Sequence, residues 1–356
     1  MNWKSHVLEI QETIRSSKKY EDYVPLLENY KHELELALAT HPSHVTLASQ
    51  LASIYMELRH GADESIKILE DILDQHSTTL TSDDQSRLLT NLAYHHSEGY
   101  YEPVAIKYLK KAVKLGSNYE QTYAGLGLLL AGEEAYQEAV DCFEKLIILS
   151  NDIKYRYNLA VSLYGNGKIQ EASGLFEAIL EENEQHVKAM YGLATCYATS
   201  GEFAKALMLA DKMIATGEME NDDLPDIYFL CGEYQLHCEA HQDGAGLRYY
   251  FHAGWLAPYF YSLMALGQRE ELALKYKEIM KEKQLEYDEA VVEEMDEGET
   301  EEERRFHLLN LKAEIQEIEE AYERVLAGEK PEIQARLWCE YECYLIDCVR
   351  HQEMED

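Results

Sequence analysis

Histidine and cysteine side chains between residues 231 and 252 are the groups in this sequence whose types and spacing could do chemistry. The cluster comprises Cys231, His237, Cys238, His241 and His252. His237 and His241 are four residues apart, so both imidazoles would reach one metal from a single helix face. In the H-E-x-x-H motif a glutamate follows the first histidine, but here Cys238 takes that place. Histidines that pack in a core are the simpler interpretation, and we predict no metal site.

No other pattern in the sequence specifies an enzyme. A glycine-rich phosphate loop and a G-x-S-x-G are both missing, and no catalytic pair stands out among 67 Asp and Glu residues. The seven cysteines form no C-x-x-C, which is typical of reduced thiols. Cys339, Cys343 and Cys348 lie among aromatic residues without metal-finger spacing, so we expect them in a core. We predict a protein with no catalytic residue and no cofactor.

The charge of the chain bears on its partners. The net charge is −35, and residues 285–356 hold 24 acidic against 7 basic side chains. Such a surface repels phosphate backbones and anionic membranes, which argues against both as partners. It would attract a basic protein, although solubility alone also explains it. With no run of eighteen apolar residues and no signal peptide, we expect a cytoplasmic protein whose partner is a protein or peptide.

A leucine followed by a small residue recurs at a nearly constant spacing. The pairs are Leu92-Ala93, Leu126-Gly127, Leu159-Ala160 and Leu193-Ala194, in steps of 34, 33 and 34 residues. Twelve residues later stands an alanine, and four further on an apolar residue; these are Ala105, Ala139, Ala172 and Ala206, then Leu109, Phe143, Phe176 and Ala210. Small residues let two helices approach, and the apolar side chain fills the next turn. Each hairpin leaves an apolar face that only the next one covers, so the pattern predicts a solenoid.

This pattern resembles the tetratricopeptide repeat, in which leucine and a small residue are followed by a large residue, an alanine and then Phe or Tyr. The large position holds His96, Leu130, Leu163 and Tyr197. The match is strongest over 86–218, although the terminal proline of the family is missing. The resemblance implies an all-α fold, a right-handed superhelical solenoid of antiparallel helix pairs.

The flanking sequence predicts the domain organisation. We expect an N-terminal helical pair over 1–40, repeats over 41–284, an acidic linker over 285–304 and a C-terminal helical hairpin over 305–356. The self-repulsion of the acidic stretch indicates an exposed linker or, alternatively, a frayed helix. Weaker copies of the repeat begin at Leu51-Ala52 and Cys231-Gly232. The first helix of the hairpin is indicated by apolar residues spaced by three and four: Leu308, Leu311, Ile315, Ile318, Tyr322 and Val325. The hairpin would cap the solenoid or, alternatively, form a dimer interface.

The tetratricopeptide resemblance also implies a binding surface. In this family the first helix of each pair lines a concave groove that takes peptides or helices. The residues it places there are Arg87, Asn91, Tyr94, Lys154, Tyr157, Asn158, Tyr164, Lys188 and Tyr191. Tyrosine offers a large apolar face with one polar tip. A ladder of Tyr, Asn and Lys could hold a peptide backbone or a carboxylate.

Two functions fit these observations. The first is a non-enzymatic adaptor that binds a peptide or a partner domain in the groove. The alternative is an immunity protein that neutralises a basic toxin enzyme through its acidic surface. The sequence leaves the identity of the partner and the oligomeric state open.

Overall fold

The computed structural model describes residues 19–58, 62–99, 101–220, 223–242, 253–292 and 300–350, together with residues 9, 12, 13 and 16. Within these residues sixteen helices are present and no strand, which confirms the predicted all-α fold. In chain order they are α1 (Tyr20–Thr40), α2 (Val45–Glu57), α3 (Ala62–His76), α4 (Ser82–Glu98), α5 (Glu102–Lys114), α6 (Glu120–Gly132), α7 (Tyr136–Leu149), α8 (Ile153–Gly165), α9 (Ile169–Glu182), α10 (Val187–Thr199), α11 (Phe203–Ala215), α12 (Pro225–Cys231), α13 (Tyr234–Gln242), α14 (Ala253–Ala265), α15 (Arg269–Val292) and α16 (Glu301–Leu326).

The described residues form two compact units. The first contains the chain up to Leu175 and the residues from Trp338 onward, and the second contains Phe176–Leu337. Within the described ranges, no helix combines the length and the apolar composition that crossing a membrane requires.

The repeated positions of the sequence form the buried core of the helix pairs. Each alanine and each apolar residue four positions later is at most 1% exposed. Gly127 shows why its position must be small, because a Cβ there would lie 2.8 Å from the Phe143 ring. In the upstream copy Ser65 takes the alanine position and donates a hydrogen bond to the Ala52 carbonyl, at 2.8 Å. A serine is therefore tolerated in this core because its hydroxyl finds an acceptor.

Polar residues and glycines set the ends of the helices. Asp152 precedes α8 and accepts a hydrogen bond from the Lys154 N–H at 2.8 Å, which satisfies one of the free donors of a helix start. Thr81 and Asp84 form a reciprocal capping box before α4. The turn glycines Gly167 and Gly201 have φ values of 75° and 79°, in the left-handed region that ends a helix at little cost for glycine.

The second unit packs α14, α15 and α16 around one apolar cluster. The predicted seam of α16 faces this cluster, with Ile318 fully buried and Val325 1% exposed. Tyr322 stacks on Tyr276 of α15, with ring centroids 3.8 Å apart and planes 8° from parallel. The first helix of the predicted C-terminal hairpin is thus present and lies against two other helices.

Three sequence predictions are wrong in the described residues. The acidic linker over 285–304 is helical at both ends, since α15 continues to Val292 and α16 begins at Glu301; residues 293–299 lie outside the description. Carboxylates in the first turn of α16 favour the helix dipole, and Thr300 caps it. The predicted copy of the repeat at Cys231-Gly232 is also wrong. In a repeat this pair lies inside the first helix, whereas Gly232 has φ 78° and ends α12.

The third error is the last helix of the hairpin. Residues 327–350 contain no helix, although their apolar residues have helical spacing. In residues 338–350, main-chain groups of Trp338, Glu340, Ile346 and Val349 are bound by side chains of the first unit, as described below. Of the predicted N-terminal pair, α1 is present, and residues before Lys19 lie almost entirely outside the description.

Candidate functional site

The first helices of successive pairs in the first unit lie side by side. Helix α2 contacts α4, α4 contacts α6, and α6 contacts α8. The residue just before the repeated leucine occupies the same position in each helix; these residues are Gln50, Asn91, Gly125 and Asn158. Residues 338–350, which we name the C-terminal tail, contact these four helices. We name the surface that they form the groove.

Two asparagines hold the main chain of the tail. The Asn158 amide donates to the carbonyl of Glu340 at 3.0 Å and accepts from its N–H at 2.6 Å. The Asn91 amide does the same at Ile346, at 3.1 and 2.8 Å. A carboxamide carries one donor and one acceptor side by side, so it pairs with a peptide unit as a neighbouring strand would. Both asparagines are almost fully buried, which makes the loss of either partner costly.

The spacing of these two clamps matches the spacing of the repeats. Asn91 and Asn158 are two repeats apart, while Glu340 and Ile346 are six residues apart. Six residues of extended chain span about 20 Å, and packed helices lie about 8–10 Å apart. Residues separated by an even number also present their N–H and C=O to the same edge of an extended chain. About three tail residues therefore correspond to one repeat.

An aromatic ring occupies the repeat between the two clamps. Tyr344 is 1% exposed, and a Cβ on Gly125 would lie 2.5 Å from its ring. The ring makes an edge contact with Tyr94, with centroids 5.2 Å apart. The Tyr344 hydroxyl is 2.6 Å from the Ser97 hydroxyl. The absence of a side chain at Gly125 thus creates the space for an aromatic residue of the bound segment.

Two basic residues of the groove pair with carboxylates of the tail. Arg87 contacts Asp347 at 2.7 Å, and Lys154 forms an ion pair with Glu342. Arg87 and Lys154 occupy equivalent positions, five residues before the repeated leucine. Burial raises the pKa of Asp347, and the Arg87 guanidinium opposes this shift. Both pairs are mostly shielded from water, so they select for acidic side chains at these two places.

The tail runs against the order of the repeats. The Tyr157 hydroxyl of α8 donates to the carbonyl of Trp338, at 3.3 Å. Near the other end Ser53 of α2 accepts from the N–H of Val349, at 3.2 Å. Arg350 then reaches Glu57 and the hydroxyl of Tyr23, which lies on α1. The groove accordingly holds a segment of thirteen residues from end to end.

A family model confirms the repeat. A tetratricopeptide-repeat model matches residues 157–218. These residues therefore contain a tetratricopeptide repeat. A TPR repeat-containing protein of Methanocaldococcus jannaschii is 26% identical over 133 residues, which cover 36% of this chain and 24% of that protein. The chain thus spans about a quarter of the length of this curated relative.

Solved structures with tetratricopeptide repeats resemble the chain at low sequence identity. YrrB, described as a TPR protein with an unusual peptide-binding site, matches 57% of this chain and 97% of its own, with TM-score 0.47 and 18% identity. A tetratricopeptide repeat protein from Parabacteroides merdae matches 87% of this chain and 98% of its own, with TM-score 0.44 and 15% identity.

Six of the nine predicted binding residues contact the tail. They are Arg87, Asn91, Tyr94, Lys154, Tyr157 and Asn158. Tyr164 is buried on α8, at 2% exposure. Lys188 and Tyr191 lie on α10 in the second unit, the first exposed and the second half-buried. That these residues bind a partner stays a prediction.

Sequence reasoning missed Gly125, Ser97 and Ser53. Gly125 could have been found, because it stands at the position of Asn91 and Asn158 in the repeat register. Ser53 stands at the position of Tyr94 in the same register. The partner of these residues, an acidic and aromatic segment of the same chain, gave no signal because its apolar spacing is also that of a helix.

The histidine cluster lies in the second unit and packs as a pair. His237 is 2% exposed; its Nδ1 is 3.0 Å from the Ser262 hydroxyl and its Nε2 is 3.3 Å from Nε2 of His241. Burial, assisted by His241, lowers the pKa of His237 to about 3. In the described part of the chain no three His, Cys, Asp or Glu side chains form a group suited to a metal ion. His252 lies outside the description.

Proposed function

We propose that this protein is a non-enzymatic interaction scaffold that binds a segment of a partner protein along α2, α4, α6 and α8. The observation that carries the proposal is the pair of asparagine clamps, which bind the N–H and C=O of Glu340 and Ile346. Contacts to the main chain do not depend on side-chain identity, so the same clamps fit any residue except proline. The contacts of the tail support a ligand that is an extended chain segment.

The cations of the groove favour an acidic partner segment. Arg87 and Lys154 pair with carboxylates, and burial makes an unpaired cation there unfavourable. The net charge of −35 points instead to a basic partner. The local charge decides what enters the groove, because ion pairs that exclude water are screened less than charges across the remaining surface.

A synthetic peptide tests this function. The probe is a fluorescein-labelled peptide of residues 336–350, and the protein is the full-length chain with Ile346→Pro, which removes the N–H that Asn91 accepts. We expect saturable binding by fluorescence anisotropy. Adding Asn158→Ala should weaken it about 10- to 100-fold, because two hydrogen bonds to a buried peptide unit are worth roughly 1.5–3 kcal/mol.

A matched control separates the groove from general effects of losing an asparagine. Asn166 lies in the turn after α8 and donates to Gln137 at 2.9 Å. Asn166→Ala should leave peptide affinity unchanged. Peptide binding that is indifferent to Asn158→Ala would show that the groove is not the site.

The cytoplasmic location and the inhibitor alternative stay predictions. The inhibitor would bind a basic toxin through its acidic surface, and its association would slow steeply as salt is added. The groove favours the scaffold, since its contacts hold a chain segment without secondary structure of its own.

A further inference from the structure

The tail carries a specific order of side chains, and each meets a different feature of the groove. Glu342 pairs with Lys154, Tyr344 covers Gly125, and Asp347 pairs with Arg87. A carboxylate, an aromatic ring and a second carboxylate therefore follow each other at intervals of two and three residues. Glu342 and Tyr344 lie in sequence between the two residues that the asparagines clamp, Glu340 and Ile346.

The tail is bound by side chains of the groove rather than built into a helix or strand. Residues 338–350 contain no helix or strand, and their main-chain hydrogen bonds to the groove are made with Tyr157, Asn158, Asn91 and Ser53. A second segment with the same order of groups could make every one of these contacts. The groove cannot hold both segments at once.

We propose that the groove selects partner segments with the order carboxylate, aromatic ring and carboxylate at the spacing of Glu342, Tyr344 and Asp347, and that the tail is the internal competitor which such a partner displaces. This inference rests on the proposed function. It adds the sequence pattern of the ligand and a closed state in which the protein occupies its own site.

The competition has a simple quantitative form. If the tail occupies the groove with an equilibrium constant K, the affinity for an added peptide falls by the factor 1 + K. The tail buries Tyr344, Leu345, Ile346 and Val349 to 4% exposure or less. We expect the wild-type chain to bind the peptide of residues 336–350 at least about tenfold more weakly than a chain whose tail is released.

The test compares three full-length proteins with the same fluorescein-labelled peptide. They are the wild type, Ile346→Pro as the released form, and Gln334→Pro as a control at an exposed position before the tail. The released form should bind at least about tenfold more tightly than the other two. Tyr344→Ala releases the tail by a different contact and should reproduce the effect even where proline disturbs folding.

Peptide variants test the pattern. With the released protein, replacing the tyrosine or either carboxylate of the pattern by alanine should each lower affinity. Tyr341→Phe in the peptide, which removes an exposed hydrogen bond to Glu98, should change the affinity far less. In the wild type, saturating unlabelled peptide should speed hydrogen exchange of residues 338–350.

The outcomes separate the inference from the function on which it rests. Equal affinity of the wild-type and released proteins would leave peptide binding intact and overturn the competition. Binding that ignores the order of groups in the peptide would overturn the pattern. If the released protein binds no peptide while hydrogen exchange shows its tail free, the proposed function itself fails.

Discussion

Gly125→Ala should expel the tail from its place between the two asparagine clamps. An added Cβ would lie 2.5–2.7 Å from three atoms of the Tyr344 ring, whereas ordinary contacts begin at 3.4 Å. The added Cβ is fixed to the backbone of α6 and cannot move aside, so the Tyr344 ring must move by about 1 Å. The helix itself tolerates alanine, which is the better helix former.

The magnitude follows from what Tyr344 loses. Removing a buried aromatic ring from its site costs about 1.5–3 kcal/mol. The edge contact with Tyr94 adds about 0.5–1.5 kcal/mol, and the hydrogen bond with Ser97 about 1 kcal/mol. Since the ring is displaced rather than removed, we expect a loss of about 2–4 kcal/mol in tail binding, which is roughly 30- to 1,000-fold in its equilibrium constant.

The gain in helix propensity acts on a different quantity. Glycine to alanine inside a helix stabilises it by about 0.5–1 kcal/mol, but α6 is helical whether or not the tail is bound. This gain cancels in tail binding and is seen only in unfolding. Hydrogen exchange of residues 338–350 therefore reports the clash, and urea unfolding reports the helix.

Two further proteins complete the experiment. Gly174→Ala on α9 meets open space, so it should stabilise its helix without changing exchange in the tail. In a Tyr344→Ala background, Gly125→Ala should cause no additional acceleration, because the ring it would strike is gone. If exchange in the tail is the same in Gly125→Ala and the wild type, Tyr344 does not lie against Gly125 and the reasoning is refuted.

Two more predictions concern charge and protonation. Arg87→Met leaves the Asp347 carboxylate buried without its cation, so the protection factors of the tail amides should fall at pH 7. They should recover toward pH 5, where the raised pKa lets Asp347 become neutral in the bound tail. His95 is fully buried, and burial lowers its pKa to about 3. The unfolded chain binds a proton at His95 near pH 6.5, whereas the folded chain does not. Between pH 6.5 and about pH 3 the free energy of unfolding therefore decreases by about 1.4 kcal/mol for each unit by which the pH is lowered. His95→Leu should lower the slope of the unfolding free energy against pH by about 1.4 kcal/mol per unit between pH 6 and pH 5, as measured by urea unfolding.

Each of these two variants has its own control. Arg87→Met combined with Asp347→Asn removes both charges and keeps a residue that tolerates the left-handed φ of 63° at this position. At pH 7 it should raise the protection factors of the tail amides above those of Arg87→Met alone, and its own values should be the same at pH 7 and pH 5. Leu88→Ala on the same helix removes a fully buried side chain that does not titrate, so it should lower stability but keep the wild-type slope of stability against pH. Parallel curves for His95→Leu and the wild type would show that His95 is not kept neutral by burial.

The sequence predicted the repeats because their signal is local and repeated. The packing within each helix pair requires a small residue at Ala105 and Ala139 and a large one at Phe143, and the same requirement recurs in every pair. The same register placed Asn91 and Asn158 on the face that contacts the tail. The surface that the tail contacts was thus largely predictable from positions within the repeat.

The occupant of that surface was not predictable in the same way. Leu337, Tyr341, Tyr344, Leu345 and Cys348 have the spacing of a helix face, and local pattern alone favours a helix there. The segment is not helical because its main chain binds groove residues that lie more than 180 positions earlier in the chain. A pattern that reads only neighbours in sequence cannot detect such partners.

The reversed course of the tail has a consequence for biosynthesis. Its contacts join residues that are 181 to 327 positions apart, from Trp338 with Tyr157 to Arg350 with Tyr23. Helix pairs fold from near neighbours and can form while the ribosome is still translating, whereas contacts across such long sequence separations must wait until the tail has been synthesised. During synthesis each molecule therefore passes through a period in which the groove is complete and its own ligand has not yet emerged. A partner present at the ribosome would meet an open groove, and a partner arriving later would meet a closed one.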